Sequence, residues 1–498
     1  MRTLLLPLDE RPCNFLFPRM IADSGRDITL VMPEKQILSD RKKPADISLI
    51  ENFLLQNAGD CTNIVLSVDM LVYGGLIPSR LHYLKTEEAL SRLEIIKKIK
   101  NANPKIKIYA FNCIMRTPQY NSSEEEPDYY AEYGYNLFKR KYLLDYQTRR
   151  GGLDKLQLKE LKKIKIPQNI INDYEARRNF NELVNIEILN FLETGIIDFL
   201  VIPQDDSSPY GYTAISQKRI TCEINGKKLD MKVMVYPGAD EVALSLLTRA
   251  WHDYKNIEPK VFSFYASVLG PAIVPLFEDR PMYESLKSHL RVCRCKPAEN
   301  AQEADFILAI NCPGKIPQDT YDEEIDISYT SCRNLQDFVY QIRDYLGAGK
   351  KVAVCDSAFC NGGDIQLIRY LDELDILDKL ISYAGWNTNC NTLGTTLSQA
   401  CIGKDNALYN LLYRIIDDVC YQSAVRHEVI AADLPEYNLE DYNLTPALSD
   451  IENIILKKLH NFFKSLYISN KYFIIFKGIS LPWKRMFEIE IDMEIAEK

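Results

Sequence analysis

The sequence predicts an α/β fold built around a (β/α)8-type barrel, and three features of its pattern lead to this prediction. Short apolar runs alternate with helix-period segments up to about residue 402, which is typical of βαβ units with a mostly parallel sheet. Several runs are continuous in Val, Ile, Leu and Phe, as strands buried on both faces are. Polar clusters follow most of the runs, and barrel enzymes build their sites at the carboxyl ends of their strands.

The apolar runs outnumber the eight strands that one barrel needs. The predicted strands are residues 3–8, 28–32, 63–68, 106–113, 198–203, 232–236, 261–265, 291–295, 305–310, 351–355 and 380–383. The three runs between about 258 and 315 are not followed by polar clusters of this kind, so we expect a small inserted α/β lobe at 258–348. The barrel then comprises the first six βα units at 1–257, with a helical excursion at 114–196, and the last two at 349–402. The alternative is two open-sheet α/β lobes with a cleft.

Helix signals agree with this order of elements. Thr86 begins a segment of helical spacing that Pro104 ends, and residues 240–254 keep one apolar face. Beyond residue 403 we expect a mainly helical C-terminal cap. Its predicted elements are helices at 407–425 and 451–466 and strands at 471–476 and 487–491.

Composition excludes several classes of protein. The 498 residues carry a formal net charge of −9 with no long basic block, which disfavours binding to nucleic acid or to an anionic membrane. No apolar run approaches a membrane span, and the N-terminus does not resemble a signal peptide. The thirteen scattered cysteines indicate reduced thiols and a cytoplasmic protein. Cys293 and Cys295 lack CxxC spacing and a second ligand pair, so no structural zinc is predicted. The oligomeric state is not determined.

Asp205 and Asp206 are the strongest candidates for catalysis. They leave a buried run between Pro203 and Pro209. Two adjacent carboxylates repel each other, so one can stay protonated near neutral pH while the other is ionised, which suits acid/base work. A turn with an Asx cap on the next helix is the alternative interpretation. Glu241 opens a helix after another strand and is the third catalytic candidate, although Asp240 beside it also fits a helix N-cap.

Further polar residues follow other strands and are predicted to bind the substrate. Asp69 is followed by a Gly-Gly turn and Arg80, where close backbone approach is possible, although Asp69 and Arg80 could also form a structural ion pair. The segment 385–394 combines Trp386 with Asn387 and Asn391, an apolar face with amide donors and acceptors that suits a sugar ring; a tight turn also fits. The other predicted substrate-binding residues are Asp9, Arg11, Arg116 and Tyr210. The histidines lie apart, which disfavours His-based catalysis.

Five motifs together resemble a bacterial family known only as a domain of unknown function. They are Leu-Asp-Glu-Arg-Pro at 8–12, Ser-Val-Asp-Met-Leu-Val-Tyr-Gly-Gly at 67–75, Gln-Asp-Asp at 204–206, Pro-Gly-Ala-Asp-Glu at 237–241 and Tyr-Ala-Gly-Trp-Asn-Thr at 383–388. The resemblance covers almost the whole chain and implies no established reaction.

A second likeness concerns chemistry. An Asp-Asp pair that ends a strand, with a later Trp-Asn-x-x-x-Asn, is similar to the substrate-assisted N-acetylhexosaminidases of the O-GlcNAcase and hyaluronidase-like kind. This likeness implies that Asp205 orients the substrate acetamide and that Asp206 is the general acid. It also implies that Asn387 and Asn391 contact hydroxyl or acetamide groups.

The sequence therefore leads to three functional hypotheses. The first is a glycoside hydrolase that acts, without a cofactor, on a small carbohydrate-like substrate, either with or without an N-acetyl group. The second is a Mg²⁺- or Mn²⁺-dependent lyase, isomerase or phosphohydrolase with Asp69, Asp205, Glu241 and Asp356 as oxygen ligands. The third is a non-enzymatic sensor of a small polar molecule. We also expect Asp9, Asp69, Asp205, Glu241 and Asn387 to line one cleft.

Overall fold

The computed structural model describes residues 1–25, 27–403 and 407–498. Residue 26 of the predicted barrel and residues 404–406 of the predicted cap lie outside the described residues. The chain divides into two compact units. The first unit comprises Met1–Glu10, Thr29–Leu246 and Phe277–Asp279, and the second comprises Arg11–Ile28, Leu247–Leu276 and Arg280–Lys498.

The first unit contains a parallel sheet of six strands. They are β1 (Arg2–Leu6), β2 (Thr29–Val31), β3 (Asn63–Ser67), β4 (Lys107–Phe111), β5 (Phe199–Gln204) and β6 (Val233–Pro237). Their order across the sheet is β2-β1-β3-β4-β5-β6, and every pair is parallel. Because β3 and β5 are buried along their whole length, they need an apolar residue at nearly every position. This burial explains the continuous apolar runs in the sequence.

Nine strands follow among the described residues of the second unit. They are β7 (Lys260–Tyr265), β8 (Lys296–Pro297), β9 (Phe306–Asn311), β10 (Gln318–Asp319), β11 (Val352–Asp356), β12 (Phe359–Cys360), β13 (Ser382–Ala384), β14 (Tyr472–Ser480) and β15 (Glu490–Glu497). Five of them form a parallel sheet of order β13-β11-β9-β7-β8. Strands β10 and β12 form a short parallel pair, and β14 and β15 an antiparallel one.

The closed eight-stranded barrel is not observed among the described residues. Residues 349–402 were predicted to complete the barrel of 1–257, but β11 and β13 pair in the sheet of β7 and β9, which were predicted as an inserted lobe. The two parallel sheets are compatible with the alternative of open-sheet α/β units. The physical reason for the difference is that a buried parallel strand has the same local pattern in either sheet, and only long-range pairing assigns it.

One predicted strand is wrong. Residues 291–295 were expected to be extended, but a helix occupies Met282–Val292, and β8 begins only at Lys296. His289, Leu290 and Val292 are buried on the inner side of that helix. A short apolar run cannot by itself distinguish a buried helix end from a strand.

The α-helices connect and cover the strands. In chain order they are α1 (Pro12–Asp23), α2 (Ile47–Asn57), α3 (Val68–Tyr73), α4 (Pro78–Leu81), α5 (Thr86–Ala102), α6 (Tyr130–Arg150), α7 (Lys155–Lys163), α8 (Gln168–Glu193), α9 (Tyr212–Gly226), α10 (Val242–Lys255), α11 (Met282–Val292), α12 (Ser328–Ser331), α13 (Leu335–Gly347), α14 (Ile365–Glu373), α15 (Asn389–Ile402), α16 (Ala407–Arg414), α17 (Arg426–Glu428), α18 (Leu434–Glu436) and α19 (Leu448–Lys464). Short 3-10 turns lie at Lys35–Ile37, Gly270–Ala272, Leu377–Lys379, Thr445–Ala447, Tyr467–Asn470 and Pro482–Lys484.

A long helical stretch in the C-terminal region alternates between α and π geometry. Two π-helical segments, Ile415–Val425 and Val429–Asp433, are joined to α16, α17 and α18 without a break. π-Helices are rare and are usually a single turn. This long helical stretch and α19 correspond to the two predicted cap helices. Strands β14 and β15 correspond to the predicted terminal strands. No helix in the described parts of the chain has both the length and the apolar composition needed to cross a bilayer.

Candidate functional site

Polar side chains follow five adjacent strands at the carboxyl edge of the first sheet. Asp9 follows β1, Asp69 follows β3, Asn112 follows β4, Asp205 follows β5, and Glu241 follows β6. Neighbouring strands are about 4.8 Å apart, so these residues form one row of roughly 20 Å. The strand order reverses between β1 and β3, and ligands of open α/β sheets bind outside the carboxyl ends at such a point. Asp9 and Asp69 flank it.

Two arginines hold the Asp205–Asp206 pair. The Arg80 guanidinium donates to the Asp205 carboxylate at 2.7 Å, and Arg116 donates to the Asp206 carboxylate at 3.4 Å. The Asp205 and Asp206 side chains are 17% and 18% exposed, so solvent reaches both carboxylates. The two aspartates, predicted from the sequence, are thus ion-paired with two arginines that were predicted separately as substrate-binding residues.

Glu125 and Glu126 complete this cluster, and sequence reasoning missed both. Glu126 accepts from Arg116 at 2.7 Å and from Arg80 at 3.2 Å, and Glu125 accepts from the same two arginines at 3.0 and 3.1 Å. Each glutamate therefore bridges the two guanidinium groups. We name these six residues the first-unit cluster: Arg80, Arg116, Glu125, Glu126, Asp205 and Asp206. The available signal was the acidic run at 124–126, which follows Arg116 closely in a segment otherwise interpreted as a helical excursion.

Helix α8 positions both arginines through their backbone. Arg177 donates to the carbonyl oxygen of Arg80 at 2.9 Å, and Arg178 donates to the carbonyl oxygen of Arg116 at 3.1 Å. Tyr174, one turn earlier, also donates to the Arg116 carbonyl, at 3.0 Å. These three side chains are buried on α8. The helical excursion thus fixes helix α4, which carries Arg80, and the loop that carries Arg116.

Asp206 combines a raised carboxyl pKa with an unusual backbone conformation. Burial raises the pKa of its carboxyl group to about 7, with Arg116 opposing this and the Asp205 charge adding to it. The residue also has a positive φ of 45°. Strained backbone at a non-glycine residue is concentrated at functional sites. Asp206 can therefore hold a proton near neutral pH beside the ion-paired Asp205.

Asp69 is held by backbone rather than by Arg80. Its carboxylate accepts from the Cys113 backbone N–H at 2.9 Å, and burial raises the pKa of its carboxyl group to about 6. The hydrogen bonds of Arg80 go to the cluster and to the Glu125 carbonyl. The Asp69–Arg80 ion pair considered from the sequence is not among the ion pairs of the described residues. The turn after α3 needs glycine, since Gly74 and Gly75 have φ of 80° and 134°.

Glu241 lies fully buried at the start of α10. Its carboxylate accepts from the Ala239 N–H at 3.1 Å, so it folds back on the turn after β6. A Cβ at Gly238 would lie 2.3 Å from Glu241 Oε1, and Gly238 has a φ of 137°. Glycine there allows the carboxylate to occupy this place. The Gly238 N–H donates to the Gln204 carbonyl, which places this turn beside the end of β5.

Tyr210 and Asp9 also belong to the first unit. The Tyr210 hydroxyl accepts from Arg150 at 2.7 Å, and its ring contacts Tyr142, Tyr146 and Arg149 of α6. Tyr210 therefore packs on α6. Asp9 is buried three residues after the end of β1.

The other predicted substrate-binding residues belong to the second unit. The Arg11 guanidinium pairs with Glu488 at 3.6 Å and lies over the Trp483 ring. Trp386 Nε1 donates to Thr395 Oγ1 at 3.1 Å, so its polar atom is used by helix α15. The expectation that Asn387 shares one cleft with the first-unit carboxylates stays a prediction.

The segment after β13 has features of both a turn and a site. Asn387 has a φ of 51°, which is typical of a turn, and its carbonyl accepts from the N–H of Asn361, in a different segment, at 2.8 Å. Asn391 is buried on α15, and its Oδ1 has no hydrogen-bond partner among the described residues. A buried acceptor without a partner is costly, so this atom is suited to a ligand donor.

A buried acidic network lies at the carboxyl edge of the second sheet. The Asp356 oxygens accept from Asn311 Nδ2, the Asp364 N–H and the Tyr383 hydroxyl at 2.7 to 2.9 Å, and burial raises the pKa of Asp356 to about 6. Asp418, on the first π-helical segment, accepts from the Gly385 N–H at 2.8 Å. Burial raises the pKa of Asp418 to about 8. Sequence reasoning did not single out Asp418, because its segment has no strand-end pattern.

Comparison with known proteins places the chain in a family without assigning a reaction. A family model described as "Protein of unknown function (DUF4127)" matches residues 3–492. No curated protein sequence matches the chain.

Proposed function

The chain belongs to the DUF4127 family, and we propose from its first-unit cluster that it is a cytoplasmic hydrolase, a glycosidase that acts on a small and N-acetylated sugar or glycoside. The observation that carries this proposal is the pair of unlike carboxyl groups after β5. Asp206 keeps a proton up to about pH 7, and Asp205 beside it is ion-paired with Arg80.

Glycoside hydrolysis needs two groups of this kind. One must protonate the departing oxygen, and another must stabilise or attack the anomeric carbon. In our proposal Asp206 is the general acid and Asp205 orients the substrate acetamide, which acts as the nucleophile. Glu241 is the third catalytic carboxylate. It follows β6 at the same edge of the sheet, two strands away from β4 and Asn112.

The remaining residues of the proposal bind the substrate. Arg80 and Arg116 are already fixed by α8 and keep the two aspartates in place. Asp9 and Asp69 stand at the reversal point of the first sheet, where a hydroxylated ring would meet carboxylate acceptors. Arg11, Tyr210, Trp386, Asn387 and Asn391 remain substrate-binding residues predicted from the sequence.

The test compares Asp206→Asn and Asp205→Asn on two kinds of glycoside. Asp206→Asn removes the transferable proton, so turnover of substrates with poor leaving groups should fall by about 10²- to 10⁴-fold. Activated aryl glycosides need little protonation and should lose much less. Asp205→Asn should slow both kinds alike, because it disturbs formation of the nucleophile rather than departure of the aglycone.

Asp198→Asn is the matched control. Asp198 immediately precedes β5, at the opposite end from Asp205, and its side chain is 19% exposed and paired with Lys107 and Lys100. This variant should keep full turnover on both substrate types. If Asp205→Asn and Asp206→Asn lower the melting temperature but leave turnover per folded molecule unchanged, the pair is a turn or helix cap and the proposal fails.

The metal-dependent alternative needs Asp69, Asp205, Glu241 and Asp356 as oxygen ligands. Asp356 belongs to the second unit, and three protein donors already use its oxygens. Activity that is lost on dialysis against EDTA and restored by Mg²⁺ or Mn²⁺ would favour this alternative. Tight binding of a sugar without turnover would instead favour a non-enzymatic sensor.

A further inference from the structure

A cavity lies at the amino-terminal edge of the second sheet, opposite the edge that carries Asp356. Its volume is about 800 Å³. Its lining includes Pro259, Asp305, Lys351 and Ile381, each of which precedes the start of a strand of this sheet. His252 and Cys401 also line it. None of the hypotheses above uses this region.

Three metal-binding side chains meet beside this cavity. His252 lies in the last turn of α10, Cys295 directly precedes β8, and Cys401 lies near the end of α15. One imidazole nitrogen and the two sulfur atoms all lie within 4.8 Å of one another. The three residues are far apart in the sequence, so no spacing motif could reveal them.

The distance between the sulfur atoms fits a bound metal. Cys295 Sγ and Cys401 Sγ are 3.8 Å apart. Two thiolates at about 2.3 Å from one tetrahedral zinc ion would be separated by about 3.8 Å. A disulfide would require about 2.05 Å. The present separation thus accommodates zinc without movement of the two chain segments.

His252 is oriented as a metal ligand. Its Nδ1 lies 2.6 Å from the Cys293 carbonyl oxygen, which only accepts, so Nδ1 carries the proton. Nε2 therefore has a free lone pair. The side chain is fully buried, and the Cys295 thiol, a weak donor, is the polar group that interacts with it on the Nε2 side. Metal-binding histidines commonly donate their other ring N–H to a carbonyl in this way. A thiol satisfies a buried acceptor only weakly, and a metal ion bound to Nε2 would satisfy it better.

We propose that His252 Nε2, Cys295 Sγ and Cys401 Sγ form a zinc site whose fourth position opens to the cavity. Two thiolates and an imidazole favour Zn²⁺ over Mg²⁺ or Ca²⁺, which prefer oxygen ligands. Closed structural zinc sites have four protein ligands, whereas three ligands leave one position for water or a small molecule. Cys401 is only partly buried and lines the cavity, so a small molecule in the cavity can reach the open position.

This proposal revises the expectation drawn from the sequence. Cys295 was considered only with Cys293, its neighbour in the chain, and that pair does not suit zinc. Cys293 contributes its backbone carbonyl instead, as the acceptor that orients His252. The proposal is independent of the glycosidase chemistry, since it involves the second unit alone.

The experiment measures zinc content and cobalt binding of the full-length chain, purified under reducing conditions. We expect about one zinc per chain in the wild type. After the metal is removed with a chelator, addition of Co²⁺ should produce a thiolate-to-cobalt charge-transfer band. Later addition of Zn²⁺ should abolish this band. Zn²⁺ added to the metal-free chain should raise its melting temperature.

Variants assign the signal to these residues. Cys401→Ser and His252→Gln should weaken Zn²⁺ binding by about 100-fold or more, and Cys401→Ala serves as a second variant if the serine form folds poorly. Cys222→Ser is the control, because it removes an exposed cysteine of the first unit and should leave metal content unchanged. Circular dichroism checks the fold of each variant.

Three results would overturn the proposal. The first is a metal-free wild type that shows no charge-transfer band with Co²⁺. The second is equal metal content in folded Cys401→Ser and the wild type, which would place the metal elsewhere. The third is a disulfide: titration of the unreduced, denatured chain would find two thiols fewer than thirteen, and reduction would not restore metal binding.

Discussion

Arg80 donates to Asp205 at 2.7 Å, and these two residues are 125 positions apart in the chain. The Arg80 side chain is only 1% exposed and also contacts both glutamates of the first-unit cluster. One buried guanidinium thus forms ion pairs with three carboxylates. It ties the start of the helical excursion to the end of β5, so this ion pair is both a structural link and part of the candidate site.

Replacement of Arg80 by methionine should destabilise the chain strongly. The variant leaves three carboxylates without their shared partner, and removal of one member of a buried ion pair costs about 3 kcal/mol or more in the free energy of unfolding. Arg219→Met is the control, because Arg219 is 58% exposed and pairs with Glu182 at 3.0 Å, where about 0.5 kcal/mol or less is expected. Urea unfolding of both variants measures the difference. Equal, small changes would show that the buried pair has no special stabilising role.

Arg116→Gln should shift the pH dependence of turnover. Arg116 lowers the pKa of the Asp206 carboxyl group, so its removal should raise that pKa above about 7. If Asp206 is the general acid, wild-type turnover falls as the pH rises through about 7, and this fall should move to higher pH in the variant. Arg219→Gln should leave the profile unchanged. A purely structural role for Arg116 would lower turnover at every pH without moving the profile.

Gly74→Ala and Gly151→Ala should differ in their cost to stability. Both glycines follow a helix and have similar positive φ, 80° and 79°. A Cβ at position 74 would lie 2.7 Å from the Ala45 backbone nitrogen, whereas a Cβ at position 151 would meet nothing within 4 Å. Gly151→Ala should therefore cost about 1 kcal/mol for the left-handed backbone alone, and Gly74→Ala clearly more. Urea unfolding again provides the comparison, and equal losses would contradict the crowding at Gly74.

Asp418→Asn should reduce the pH dependence of stability. Burial raises the pKa of Asp418 to about 8 in the folded chain, above its unfolded value near 4. The folded state therefore binds this proton more tightly, and the associated stability is complete below about pH 4 and is lost as the pH rises through about 8. Asparagine keeps an oxygen for the Gly385 N–H without this titration.

The measurement is the melting temperature at pH 5 and pH 8. Relative to the wild type, Asp418→Asn should gain more at pH 8 than at pH 5, by an amount equivalent to about 1 kcal/mol or more. Asp344→Asn on α13 removes an exposed carboxylate and serves as the control. A gain that is the same at both pH values would contradict the raised pKa.

The positions of the strands were predictable because burial on both faces leaves a local signature. Strand β5 was expected at 198–203 and lies at Phe199–Gln204, and β3 was expected at 63–68 and lies at Asn63–Ser67. The carboxylates that follow them were identified for the same reason, since a polar residue after a continuous apolar run marks the strand end. The run at 291–295 was misassigned because the end of α11 has the same short apolar pattern.

The sequence by itself determined the α/β class, the strand segments and the strand-end carboxylates, all of which depend on neighbours along the chain. Only the tertiary structure decided that β11 and β13 join β9 and β7 in a second sheet, where β11 pairs with β9 and β13 pairs with β11. It also decided that Glu125 and Glu126 join Asp205, and that His252, Cys295 and Cys401 meet. These contacts join residues far apart in the chain, and local periodicity carries no information about which distant segments pack together.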